Sequence, residues 1–226
     1  MCSRFSLTSP AEAVRQTFGC KADDEFPPRY NIAPTEPVLI VRNSIRKERE
    51  LALVIWKFIP SWAKDPAALS TLINARAETA AVKPSFRGAM RHRRCIIPAD
   101  GFYEWSGKSG QKQPHLIRLA SGKIMGLAGI WEHWLGADGS EVETMAILTT
   151  EPNAEMAHIH NRMPVILDTD DYQDWLDCSS GSSTHLEKYL KPAPDGTLEI
   201  IPVSRDLNNP RNDSPELQQP LQGKLF

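Results

Sequence analysis

Three times along this chain a strand-forming apolar run stops at a short turn and is answered by another. "VLIVR" (38–42) and "LALVIW" (51–56) flank the charged loop "NSIRKERE". "CIIPADGFYEW" (95–105) kinks at Pro98 and Gly101, turns through "KSGQK", and is answered by "PHLIRL" (114–119). "IMGLAGIWEHW" (124–134) and "ETMAILTT" (143–150) flank "GADGS". Runs this short, joined by loops this brief, pair as antiparallel hairpins. A parallel sheet needs a long crossover between strands, and neither βαβα alternation nor a glycine-rich phosphate loop occurs. With "LEIIPV" (198–203) added, the fold class is predicted to be α+β. Its frame is a curved or barrel-like, mainly antiparallel sheet with peripheral helices.

Ser9-Pro10-Ala11-Glu12 has the form of a capping box and predicts a helix to about Phe18, stopped by Gly19. Residues 26–37, "FPPRYNIAPTEP", hold four prolines and are expected to form a rigid extended loop without regular structure. A short helix after Pro152 and two later ones, at 169–177 and 184–190, complete the expected elements. The tail from about residue 208, rich in Asn, Pro and Gln, is expected to be loosely ordered. No internal repeat or linker divides residues 1–226, so one domain is predicted.

A formal charge of −2 over 226 residues means that any nucleic-acid surface must be a local patch. One basic run exists, at Arg87, Arg91, His92, Arg93 and Arg94. An acidic run stands against it, at Asp168, Asp170, Asp171, Asp174 and Asp177. Runs of either sign usually mark a solvated face. Cys2, Cys20, Cys95 and Cys178 form no C-x-x-C pair, and no long apolar span is present. The expectation is a soluble, cytoplasmic protein with free thiols, no membrane and no cofactor. His158-x-His160 lacks a supporting ligand at metal-site spacing, so no metal is expected.

Four places concentrate polar groups among apolar ones. Cys2 follows the initiator methionine. Once Met1 is removed, its α-amine and thiol form a 1,2-aminothiol, with reference pKa values of roughly 7.7–8.0 and roughly 8.5. In "LINARAET", Asn74 and Arg76 share a side of an extended segment, and Glu78 reads as a first-turn helix carboxylate. Glu104 lies between Tyr103 and Trp105, where desolvation suits a general acid but a solvent-facing strand position fits equally well. In "HIHNRMP", a loop carries His158, His160 and Arg162. Trp62 and Trp105 are either core residues or platforms for stacked bases.

The ordered set "MC-x-R-F", "RYNIAP" (29–34), "IP-x-W" (59–62), "INAR-x-E" (73–78), "C-x-x-PA-x-G-F-Y-E-W" (95–105) and "H-x-R-M-P" (160–164) resembles one family. It is the SOS-response-associated peptidase family, also called abasic-site processing proteins. The resemblance implies a sensor of abasic sites in single-stranded DNA whose N-terminal cysteine bonds to the ring-opened sugar aldehyde as a thiazolidine. It implies Cys2 as nucleophile, Glu104 as acid/base, His160 assisting sugar opening, and Asn74 holding the reacting groups. Arg76 and Arg162, with Arg4, match DNA-contacting positions. Trp105 would pack at the break in the base stack and Trp62 would line the groove. Self-removal of Met1 is implied by the word peptidase. Two departures stand out: Ser3 and Lys57, where the family usually has glycine.

The implied partners are abasic single-stranded DNA and replication or repair proteins. A monomer is expected, nucleoid-associated if the source is bacterial. Two other readings fit a processed N-terminal cysteine or a local basic patch. One is a glutaminase-like N-terminal-nucleophile amidohydrolase. The other is a single-stranded DNA-binding module that never reacts.

Overall fold

A succession of short strands leaves unpaired backbone groups at every edge, and this chain closes five of its strands into a ring. The computed structural model describes residues 2–21, 25–108, 110–181 and 185–221. Met1, and with it the expected self-processing, lies outside the described residues, as do 22–24, 109, 182–184 and 222–226. The main strands are β1 (Phe5–Leu7), β2 (Arg29–Ile32), β3 (Pro37–Asn43), β4 (Arg49–Ile55) and β5 (Asn74–Arg76). They continue with β6 (Arg94–Ala99), β7 (Gly101–Ser106), β8 (Gln113–Leu119), β9 (Met125–Leu135) and β10 (Glu141–Thr150). Among the described residues, four α-helices are peripheral: α1 (Ala11–Phe18), α2 (Ala77–Ala80), α3 (Arg87–His92) and α4 (Tyr172–Leu176).

The ring runs β4–β3–β6–β9–β10, each neighbour antiparallel. It closes through a parallel contact of β10 with β4 at Thr144 and Ile55, making a mixed five-stranded barrel. A second, antiparallel sheet has the order β2–β1–β7–β8, followed by the strand Leu198–Pro202. Between them sits the core, which includes Phe5, Trp56, Ile96 and Phe102. Trp56 and Trp175 are wholly buried, and each indole N–H donates to a main-chain carbonyl, of Ile73 and Cys95 respectively. Gly101 opens β7 because a Cβ there would lie 2.9 Å from the Ile117 carbonyl oxygen. The α+β, barrel-like architecture read from the hairpins is the one observed.

Several local expectations are corrected. Residues 29–32 form β2 despite the surrounding prolines: Pro27, Pro28 and Pro34 fall outside the four paired residues, which keep their amide donors. The helix over 11–18 forms and ends at Gly19 with φ 67°, but Ser9 does not cap it. Its hydroxyl donates to Asp100, which also accepts the amides of Thr8 and Ser9, while Glu12 pairs with Arg15. The expected helix at 184–190 is a single 3-10 turn, Leu186–Lys188, with residue 184 undescribed. Within the basic run, Arg94 is buried, its guanidinium donating to the carbonyls of Met90, Trp175 and Asp177.

The chain from residue 208 to 221 is held rather than loosely ordered. Asn31 donates to the carbonyls of Asn209 and Asn212, Arg29 pairs with Asp213, and Leu217 is buried against Tyr103, Leu116 and Val203. Composition registers only the scarcity of apolar residues there; the holding groups lie far away on β2 and β7.

Candidate active site

Cys2 precedes β1, and the pairing of β1 with β7 brings it beside Glu104: Phe5 faces Phe102, and the amide of Tyr103 donates to the Arg4 carbonyl. Both candidate side chains are buried, Cys2 at 0% and Glu104 at 3% relative exposure. Burial, and after it the negative charge of Glu104, push the Cys2 thiol well above the ordinary thiol range. The thiol is therefore held protonated at neutral pH.

The second half of the site is assembled at the end of β10. There β5 runs parallel to β10, placing Asn74 opposite Ile147 and Arg76 opposite Thr149. The pair Met163–Pro164 lies along β10 at Thr149 and Thr150, bringing up the 158–162 loop. Asn74 reaches across to the N-terminus, its side-chain amide donating to the Cys2 carbonyl at 2.7 Å. Its own Oδ1 is buried with no partner among the described residues. A buried acceptor of this kind calls for a partner from outside the described residues.

His160 is half-buried, and its Nδ1 accepts the main-chain amide of Arg162 at 3.0 Å. The Arg162 carbonyl lies 3.2 Å from the same nitrogen, so both main-chain groups of Arg162 hold this edge of the ring. Arg162 makes a two-pronged pair with Glu78, at 2.6 and 2.9 Å, and also donates to the Thr149 carbonyl. That pairing holds the Glu78 carboxyl below its ordinary range. Glu78 lies in the first turn of α2, as its sequence position indicated. Arg76 is exposed at the same rim.

Arg4 donates to Asn31 Oδ1 at 2.7 Å and to the Leu207 carbonyl at 3.1 Å, with its guanidinium 6.0 Å from the centroid of Trp105. The Trp105 indole donates to Asn208, so this tryptophan is fixed at the wall of an open cavity beside Cys2. Trp62 is not in that cavity: it is 58% exposed and borders a separate depression with Arg87 and Arg91. A separate cavity of about 520 Å³ is lined mostly by apolar residues such as Leu7, Phe26 and Leu51 and holds none of the candidate residues. Volume alone does not locate this chemistry. Sequence reading missed Asn31, which positions Arg4, although it stands inside the quoted "RYNIAP". It also missed Thr149, which accepts from Arg162, and Lys112, Arg205 and Asn208, which line the cavity with Arg4 and Trp105.

A family model described as "SOS response associated peptidase (SRAP)" matches residues 1–210. The chain belongs to this family. The matched span includes every candidate residue, from Cys2 to Arg162. Among its relatives is the abasic site processing protein YoqW of Bacillus subtilis, 39% identical over 96% of this chain and 98% of that one. The abasic site processing protein HMCES of Gallus gallus is 32% identical over 88% of this chain and 68% of that one. A crystal structure of a protein from Bacteroides thetaiotaomicron superposes with a TM-score of 0.86 at 27% identity, covering 98% of this chain and 100% of that one. The SRAP fold thus spans nearly the whole chain. Among the described residues, no helix is long and apolar enough to cross a membrane, and no three His, Cys, Asp or Glu side chains could hold a metal ion.

Proposed function

We propose that this SRAP protein processes abasic sites in single-stranded DNA by covalent capture through Cys2. The observation that carries this reading is the convergence of a buried Cys2, Glu104 and the Asn74 clamp at the N-terminus, together with relatives named for abasic sites. With Met1 removed, the Cys2 α-amine adds to the aldehyde of the ring-opened sugar and gives a carbinolamine. The Glu104 carboxylate relays a proton from the nitrogen to the hydroxyl, which leaves as water and gives the Schiff base. The thiol then adds to the imine carbon, its proton passing through Glu104 to the nitrogen, and the five-membered thiazolidine closes. The product has no iminium to drive β-elimination, so the strand stays intact.

The raised thiol supports this order of events. A protonated thiol is a poor first nucleophile, while an α-amine is partly neutral near pH 7. The same feature weighs against a glutaminase-like reaction, in which sulfur attacks the carbonyl first. His160, held against the main chain of Arg162, is the imidazole that assists opening of the sugar ring. Arg76, Arg162 and Arg4 supply cationic contacts to the strand, Trp105 a flat surface at the gap left by the missing base, and Trp62 a more distant stacking surface. Removal of Met1 by the protein itself belongs to the same reading, because the carboxylate beside Cys2 is the available acid/base group.

The experiment is to mix the protein with single-stranded DNA bearing one abasic site, without reductant, and record the intact mass under denaturing conditions. A covalent adduct that is lost in Cys2→Ala is the expected result. A free-protein mass with Met1 confirmed absent overturns covalent capture, and retained binding in that case leaves a non-reactive DNA-binding module.

A further inference from the structure

The cavity beside Cys2 has a volume of about 430 Å³ and is lined by Ser3, Arg4, Trp105, Lys112, Arg205 and Asn208. Three of these side chains are cations, and no carboxylate lines the cavity among the described residues. That is unusual for a chain of net charge −2. Elsewhere on the surface Arg42, Arg93, Arg118 and Arg162 each meet a carboxylate. Lys112 and Arg205 take part in no ion pair among the described residues, and both are exposed.

Arg4 and Trp105 are already committed to protein partners and form a fixed wall. Arg205 spends one donor on the Gln111 carbonyl, at 3.5 Å, which ties the 3-10 turn Arg205–Asn208 to the β7–β8 connection. A guanidinium has five donors, and Lys112 brings three more. Ser3 adds a hydroxyl directly after the reacting residue.

We propose that Lys112 and Arg205, with the Ser3 hydroxyl, form a phosphate subsite that seats the backbone phosphodiester immediately flanking the reacting sugar. The inference rests on the DNA reading above and adds to it a register: one particular phosphate is gripped beside Cys2. Gripping that phosphate restricts the sugar to the arc in which its aldehyde meets the Cys2 amine. Free phosphate has the same chemistry as a backbone phosphate, so the test must separate the two sources.

The test uses noncovalent binding, so that it does not depend on capture. A short single strand carrying one tetrahydrofuran abasic analogue is titrated against wild type and Lys112→Ala/Arg205→Ala at several salt concentrations. The double variant is expected to bind about tenfold more weakly, with a salt slope shallower by about 0.7–1.4. Neutral methylphosphonates are then placed at each phosphate in turn. Wild type is expected to lose affinity at one phosphate next to the lesion, and the double variant to be insensitive there. A double variant with wild-type affinity and slope, or one that keeps the same sensitive phosphate, overturns the subsite while leaving the DNA reading intact. Inorganic phosphate is titrated alone as a further arm. If it binds through Lys112 and Arg205 while no methylphosphonate position matters, the site takes free phosphate and the strand assignment is overturned. If wild type does not bind the strand at all, the DNA reading fails and the subsite falls with it.

Discussion

Asn74 holds Cys2 from across the fold: its side-chain amide donates 2.7 Å to the Cys2 carbonyl, between residues 72 apart in sequence. The contact fixes the peptide that leaves the reacting residue, and with it the direction of the α-amine and thiol. In Asn74→Ala this one hydrogen bond, worth about 1 kcal/mol, is lost. Covalent capture of an abasic strand should slow by roughly fivefold. Affinity for a tetrahydrofuran-containing strand should stay within about twofold. Parallel loss of both quantities would mean that Asn74 serves binding rather than positioning.

Asn31 is the corresponding anchor for the C-terminal chain. It is 1% exposed, accepts from Arg4, and donates to carbonyls on both sides of residue 208. Asn31→Ala strands several of these buried groups at once and should cost about 2–4 kcal/mol of stability in urea unfolding. A change below about 0.5 kcal/mol would show that the segment after residue 208 is held mainly by Leu217 and its apolar neighbours.

Alkaline pH should destabilise the fold. Burial raises the Cys20 thiol from 9.0 to about 11, and Cys95 well above its ordinary value. A raised acid keeps its proton in the folded chain while the unfolded chain releases it. The stability carried by that difference is complete below the unfolded value and is lost as pH rises through the folded one. The thermal midpoint should therefore hold to about pH 8. It should then fall steadily from 9.0 to about 11, less steeply in Cys20→Ala. A midpoint flat across that window would rule out buried thiols as the cause.

On the proposed reading, Glu78 competes with DNA for Arg162, with which it forms an ion pair. The pair is half-exposed on the carboxylate side, so Glu78→Gln should change stability by less than about 1 kcal/mol. Removing a negative charge beside Arg162 and Arg76 should raise affinity for undamaged single-stranded DNA by roughly two- to fivefold in a fluorescence titration. A weaker complex would instead assign Glu78 the task of holding Arg162 in its binding pose.

The sequence by itself determined the hairpins of this protein, because strand length, turn residues and alternation are local. It also carried the candidate residues, since Cys2, Asn74, Glu104 and His160 stand in short motifs whose order is recognisable. Tertiary structure decided what local patterns cannot contain. Closure of the barrel depends on a parallel contact between β4 and β10, far apart in the chain. The four residues of β2 become a strand only because β1 is there to pair with them, and proline spacing says nothing of that neighbour. The segment after residue 208 is ordered by Asn31 and Arg29, polar groups whose partners arrive nearly the whole chain later. The cation-lined cavity beside Cys2 likewise draws Ser3, Lys112 and Arg205 from three separate segments. Hydrogen bonding and charge act over a few ångströms in space, and only the folded chain says which residues those ångströms separate.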